Sequence, residues 1–288
     1  MTSEHEKQQR KAEEKHDEHE GEPTTLDAHE RKKVHEEEKL DAAVTHEVIR
    51  REAVKELNRA PISLGWSGIA GGLAMGLSVM TIAALHHGLP ETPWRHLVAA
   101  LGYPIGFLAV TLGSQQLYTE NTLRPIVPYM ASPSRRMLRK IFVLWGMVLA
   151  ANLVGALLFA WAAARTAILS PEVRHAMRTV ALENMSHDWA TVFATAIVAG
   201  WIIALMVWML PAASQSQVIV VIVMTWLIGA AGLSHVIVGA VEAFYLTALG
   251  DISIVAALGG YILPALLGNT LGGVALVAAL NHAQVEPG

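Results

Sequence analysis

The sequence predicts an all-α membrane protein: six transmembrane helices, arranged as two inverted three-helix repeats whose second and fifth spans are broken. Three observations carry this. Charge is crowded at one end of the chain, apolar stretches recur six times beyond it, and the two halves share small-residue and asparagine patterns.

The 288 residues are 53% hydrophobic and 16% charged, with a mean hydropathy of +0.39. The first 60 residues hold 12 Lys/Arg and 17 Asp/Glu, leaving nine and eight for the rest. A water-soluble globule spreads its charge over its surface, so the bulk of this chain is not one. A net charge of −4 without a basic patch outside the tail argues against nucleic-acid binding. The absence of cysteine excludes disulfides, thiolate chemistry and Cys-ligated metals.

Residues 1–40 alternate in sign (Glu13-Glu14-Lys15, Glu36-Glu37-Glu38-Lys39) and carry too little apolar bulk to offset ordering entropy. They are expected to be a charged, His-rich, disordered cytoplasmic tail. Residues 41–59 differ, because Val44, Val48, Ile49, Val54 and Leu57 recur near helical spacing. This predicts an amphipathic helix on the membrane surface or against the bundle.

Residues 60–283 form the expected channel domain, and 284–288 a short cytoplasmic C-terminus. Apolar stretches at 62–86, 97–131, 141–164, 189–211, 217–247 and 253–282 are each long enough for the roughly 30 Å hydrocarbon core. A short amphipathic helix is expected at 171–183. The tail cations and Arg135, Arg136, Arg139 and Lys140 after the second span lie on one side if both termini are cytoplasmic. The expected location is the cell (inner) membrane. Arg165, Arg174 and Arg178 then face outward, a mild exception.

Gly68, Gly72 and Gly76 in span one match Ala196, Gly200 and Ala204 in span four, and small residues at this step let backbones approach. Asn152-Leu-Val-Gly155 in span three matches Asn269-Thr-Leu-Gly272 in span six. With three spans per half the repeats have opposite topology, the plan of transporters that place a mid-membrane site between broken helices.

The first break is Gly113-Ser-Gln-Gln-Leu-Tyr-Thr119-Glu120-Asn121, followed by Arg124-Pro125. Polar residues at that depth are tolerated only where protein or a water-filled cavity covers them. Thr119 at the tip is expected to face the pathway. Glu120 either lines it or caps the restarting half-helix with Arg124 as its i+4 partner. The second break is Gly229-Ala-Ala-Gly232-Leu-Ser-His235. His235 is the only histidine deep inside an apolar span, and imidazole titrates near neutrality. A satisfied core histidine is the plainer reading, against which the paired breaks weigh. Glu242, seven residues on, either tunes His235 or sits at the outer mouth.

These residues resemble the formate/nitrite transporter family, which includes hydrosulfide and lactate members, across about residues 42–283. Gly113-x-x-x-Leu-Tyr-Thr119 is similar to the family's G-x-x-L-F-T loop, and the Leu-Ser-His235 break, Asn152-Leu-Val-Gly and Gly268-Asn269-Thr-Leu-Gly-Gly support it. The resemblance implies an aquaporin-like protomer with its own pore, assembled as a homo-pentamer. It implies that Thr119 and His235 meet at the pore centre and that Asn269 lines it. It also implies apolar constrictions at Tyr103, Phe107 and Ile228 on one side and at Leu117 and Tyr118 on the other, with Ile203 a further constriction residue. The chain departs from the family pattern at Gln116, Glu120, Gly239, Gly200 and near Asn184, where an acid, a small residue, two asparagines and a lysine are usual.

The expected function is a channel or proton-coupled transporter for small monovalent weak-acid anions (formate, nitrite, hydrosulfide or short carboxylates). His235, with Thr119, would protonate or hydrogen-bond the anion, and Glu120, Glu242 and Gln116 would line the path. The expected partners are the bilayer, the anion, the proton and further copies of the chain. No cofactor, metal or enzymatic activity is expected, because no span presents a nucleophile–base pair or ligand cluster. One alternative is an aquaporin-like channel for neutral solutes. Another is a membrane-anchored scaffold or sensor whose tail histidines (His5, His16, His19, His29, His35 and His46) bind a metal or partner.

Overall fold

A computed structural model describes residues 42–213 and 215–278; the expected tail, residues 1–40, and C-terminus, 284–288, lie outside the described residues. The first element is helix α1 (Ala42–Glu56). Its buried stripe is Thr45, Ile49 and Ala53, one turn apart, while Val44 and Val54 stay exposed. The apolar face is therefore narrower than the valines suggest.

Helix α2 (Pro61–Gly88) begins with a proline, whose missing N–H costs nothing at a helix start. Helices α3 (Arg95–Ala99) and α4 (Pro104–Leu112) follow, joined by a tight 3-10 turn. The chain then leaves helical geometry over residues 113–119 and makes a 3-10 turn, Glu120–Thr122, before the short α5 (Ile126–Ala131). Pro133 disfavours helical geometry at Ser132 and ends that restart after six residues.

Helix α6 (Arg135–Arg165) is capped by Ser134, whose Oγ accepts from the Met137 N–H at 3.2 Å. The amphipathic α7 (Pro171–Met185) is capped by Ser170. Helix α8 (Trp189–Met209) is capped by Asp188, whose Oδ1 accepts from Ala190 and Thr191. Two short apolar helices, α9 (Gln217–Ala230) and α10 (Val236–Leu249), flank the second interruption. The last stretch is α11 (Leu263–Leu271) between wider π-type turns, Ala256–Ile262 and Gly272–Ala278. Gly259-Gly260 and Pro264, which donates no backbone hydrogen bond, accompany the first of these turns.

Five stretches among the described residues are long and apolar enough to cross a membrane: Pro61–Gly88, Arg95–Leu112, Arg135–Arg165, Trp189–Met209 and Ala256–Ala275. All regular structure among the described residues is helical. The chain is a multi-pass membrane protein.

Small residues set the packing. A Cβ on Gly72 would sit 2.1 Å from the Asn152 carbonyl oxygen, and one on Gly155 2.2 Å from that of Ile69, so α2 and α6 touch backbone to backbone. In the other half, a Cβ on Gly200 would lie 2.3 Å from the Asn269 oxygen, and one on Gly272 2.0 Å from that of Ile197. Dispersion across such close faces holds spans together where lipid is as apolar as leucine.

Candidate functional site: two clamped breaks and a buried hydroxyl–imidazole pair

Both breaks begin with a left-handed residue. Ser114 (φ +50°) follows α4, and Gly232 (φ +62°) follows α9. Each helix ends with the same wide turn: Gln115 N–H donates to the Val110 carbonyl, and Leu233 N–H to that of Ile228, both at 2.9 Å.

Each loop is then gripped by one buried asparagine. Asn152 Nδ2 donates to the carbonyls of Gly68 (2.7 Å) and Gln116 (2.8 Å), while its Oδ1 accepts from the Tyr118 N–H at 2.8 Å. Asn269 repeats this: Nδ2 donates to Ala196 (2.7 Å) and Ser234 (3.0 Å), and Oδ1 accepts from the Val236 N–H at 2.8 Å. Unwound backbone in a membrane exposes polar groups with no water to satisfy them, and each asparagine satisfies one carbonyl and one N–H of its break, its other amide hydrogen going to a carbonyl of α2 or α8. The matching Asn-Leu-Val-Gly and Asn-Thr-Leu-Gly strings mark both positions in the sequence, yet the clamping itself was not legible there. Asn269, expected along the pathway, has both amide hydrogens and its oxygen engaged by backbone.

The clamps present two side chains to each other. Thr119 Oγ1 and His235 Nε2 are 2.8 Å apart, both buried. His235 caps α10: its Nδ1 accepts from the Val238 N–H at 3.3 Å. An accepting Nδ1 puts the neutral ring's hydrogen on Nε2, which then donates to the threonine hydroxyl. The edge of the Phe107 ring packs on the imidazole at 5.1 Å, and Phe107 stacks on Tyr103 at 5.5 Å.

Two cavities approach this pair from opposite ends of the bundle. The first, about 340 Å³, reaches from His86 at the far end of α2 to His235 and is walled by Tyr103, Ile228, Tyr261 and Glu242. The second, about 380 Å³, lies beside α1 and is walled by Glu52, Glu56, Gln116, Glu120, Arg124 and Val110. Phe107 belongs to neither wall and is wholly buried between Tyr103 and Val110 on α4. Ile203 is also wholly buried and outside both walls. Leu117 and Tyr118 line neither; Tyr118 turns away, its hydroxyl 2.8 Å from Thr270 Oγ1 and its ring against Trp145.

The carboxylates divide between the cavities. Glu242 lines the first, where a single neutral group, Asn184 Nδ2, donates to both its oxygens at 3.0 Å. Glu120 faces the second, with Arg124 at 3.5 Å and the Thr111 hydroxyl at 3.3 Å. Gln116 Nε2 donates to Glu56 of α1 at 3.0 Å and its Oε1 accepts from Asn121 at 2.9 Å, tying α1 to the first break.

Tyr261 was not expected. It lies over Gly239, where a Cβ would meet its ring at 2.0 Å, and its hydroxyl sits beside Ser234 and His235. Gly239, noted above as a departure from the family's asparagine, makes room for this ring. Of the tail histidines, His46 alone is described, its ring 6.3 Å from that of Trp208. No cluster of three or more His, Cys, Asp or Glu suited to a metal occurs among the described residues.

The family model described as formate/nitrite transporter matches residues 43–283. The inner membrane protein YfdC of Escherichia coli (strain K12) is 36% identical over 245 residues, covering 85% of this chain and 79% of that protein. The uncharacterized transporter YrhG of Bacillus subtilis (strain 168) is 25% identical over 222 residues, 74% of this chain and 81% of that one. Among solved structures, an FNT family ion channel superposes with a TM-score of 0.70 at 21% identity, covering 84% of this chain and 99% of that one. A pentameric formate channel with formate bound superposes at 0.65 and 18% identity, covering 82% and 98%. These two likenesses establish the fold.

Proposed function

The chain belongs to the formate/nitrite transporter family, and from that premise we propose that it is a channel or proton-coupled transporter for small monovalent weak-acid anions such as formate, nitrite, hydrosulfide or short carboxylates. The observation that carries this reading is the Thr119–His235 pair, held at 2.8 Å between two cavities and sealed by Phe107. An ion entering a dry apolar layer forfeits its hydration, at a cost of several kcal/mol even after relaxation. The Nε2 hydrogen offers the arriving anion a bond in place of water. A proton taken up at Nδ1, which gives up the Val238 bond, makes the ring an imidazolium; transfer of its Nε2 proton to the anion then leaves a neutral imidazole and a neutral acid that crosses at far lower cost. The imidazole is then reprotonated from the cavity that supplies the next proton.

In this reading the protomers form a homo-oligomer, with the pentameric formate channel as the supporting likeness. YfdC, an inner membrane protein by name, supports the same location. Both termini are cytoplasmic, with residues 1–40 a charged tail, α1 a surface helix within 41–59, and 60–283 the channel domain. Glu242, Glu120 and Gln116 belong to the pathway. A second reading, a channel for neutral solutes, is favoured by the carboxylates of both cavities, which repel anions.

Uptake of labelled formate, nitrite and acetate into proteoliposomes under an imposed pH gradient separates the two. H235A is expected to lose about tenfold or more, the worth of a hydrogen bond to a charged group. Wild-type rates from H235A at every pH would remove the histidine from the mechanism. Flux indifferent to pH and membrane potential would favour the neutral-solute channel.

A further inference from the structure

A third cavity, about 300 Å³, opens between the beginnings of α2 and α6. Its wall is apolar, formed chiefly by Leu64, Leu144 and Met147, and its charged lining is Arg59, Arg136, Arg139 and Lys140 with one acid, Glu56. Arg59 pairs with Glu56 at 3.4 Å, and Lys140 donates to Asn58 Oδ1 at 2.6 Å. Arg136 and Arg139 have no hydrogen bond or ion pair among the described residues.

The start of α6 is electrostatically unfavourable by itself. A helix N-terminus carries about half a positive charge, which favours acids there. This one reads Arg135-Arg136-Met-Leu-Arg139-Lys140, with no acid in its first turn. Four cations on a positive helix end repel one another and the dipole, and an anion relieves all of it. The position is also informative. Gly68 faces Ala151, Gly72 faces Asn152 and Ala156, and Gly76 faces Phe159, so α2 and α6 run parallel and start at the same membrane face. The cavity therefore opens where the apolar spans begin, at the boundary between head groups and hydrocarbon.

We propose that this groove binds an anionic phospholipid, its phosphate on Arg136 and Arg139 with Arg59 and Lys140 alongside, and one acyl chain against Leu64, Leu144 and Met147. Guanidinium groups match phosphate oxygens with two parallel hydrogen bonds, and basic pockets between spans recognise anionic head groups. A free phosphate satisfies the rim but leaves the apolar wall uncovered, so the lipid is the occupant that fits both. The proposal rests on the membrane placement of the helices and is independent of what is transported.

The test is native mass spectrometry of the full-length protein in mild detergent, titrated with phosphatidylglycerol, phosphatidylcholine of the same chains, and inorganic phosphate. At about 1 kcal/mol per cation near a head group, R136Q/R139Q is expected to lower phosphatidylglycerol retention at least tenfold. R135Q, on the same turn but outside the groove, is expected to lower it far less than R136Q/R139Q does. M147W keeps every charge, fills the wall, and is expected to weaken long-chain lipid while sparing dihexanoyl phosphatidylglycerol. Equal retention by the parent and R136Q/R139Q overturns the proposal, as does full competition by inorganic phosphate. So does a change of oligomer mass in R136Q/R139Q, which would assign the groove to a second copy of the chain.

Discussion

At residues 113–119 and again at 231–235 the chain leaves a helix through a left-handed residue, and an asparagine from a neighbouring span then grips the break with two hydrogen bonds and a further helix, α2 or α8, with a third. Aligned on those grips, Gln116 corresponds to Ser234 and Tyr118 to Val236. Leu117 therefore matches His235, and Thr119 matches Ile237. The hydroxyl and the imidazole occupy different positions of the repeat, and they meet because the two loops face each other. The backbone scaffold is duplicated, whereas its cargo is not. The surroundings differ as well: Glu120 has an arginine partner, whereas Glu242 is held only by a neutral amide.

The sharpest way to break this comparison is to release either clamp. N152A and N269A each strand one buried loop carbonyl (Gln116 or Ser234) and one buried loop N–H (Tyr118 or Val236), at about 1–3 kcal/mol per unsatisfied group. Both are expected to lower stability by at least about 2 kcal/mol, read as loss of folded oligomer on heating in detergent. Tolerance of one alone would show that its break holds without the grip.

A middle-sized effect tests the cavities. E242Q removes a carboxylate about 10 Å along α10 from His235 and is expected to raise anion uptake into proteoliposomes several-fold at low ionic strength, an effect salt diminishes. E120Q takes away Arg124's ion-pair partner and is expected instead to lower the yield of folded protein. Equal responses would mean the two acids do the same work.

The helix ends give a smaller contrast of opposite sign. Ser114 adopts a conformation that costs a residue with a Cβ about 1 kcal/mol, whereas Gly232 adopts it freely. S114G is expected to stabilise by up to about that amount and G232A to destabilise by a similar one, measured as shifts in melting temperature.

The smallest expected effect lies outside the membrane. Arg178 holds the Asp251 carboxylate with two hydrogen bonds of 2.7 Å and keeps its pKa below the ordinary carboxylate range. A carboxyl depressed in the folded state contributes stability above its unfolded pKa and loses it as pH falls through the folded value. D251N should cost a little at pH 7, as exposed pairs do. The gap to the parent should close as the pH drops below about 4, which parallel melting curves measure.

Much of this was legible in the sequence because polar residues inside apolar runs are expensive. The Gly113–Thr119 and Gly229–His235 interruptions stand out for that reason, and so does His235 as an isolated imidazole. What stayed hidden depends on distant contacts. Asn152 reaches Gly68, 84 residues away, and Gln116, 36 away, and no local pattern announces which backbone an amide will hold. Tyr261 reads as another aromatic until its ring is found over Gly239. Leu117 and Tyr118, placed by resemblance at a constriction, lie outside both cavity walls, as do Phe107 and Thr119.

The bond from Val238 N–H to His235 Nδ1 pins one edge of the ring to the start of α10. An imidazole fastened there cannot swivel to serve first one side and then the other. While that bond lasts the ring's single hydrogen is on Nε2; charging the ring requires a proton at Nδ1 and releases it from Val238. Charging the ring and loosening it are thus one event, and the Phe107 ring packed against it bounds the space in which that happens.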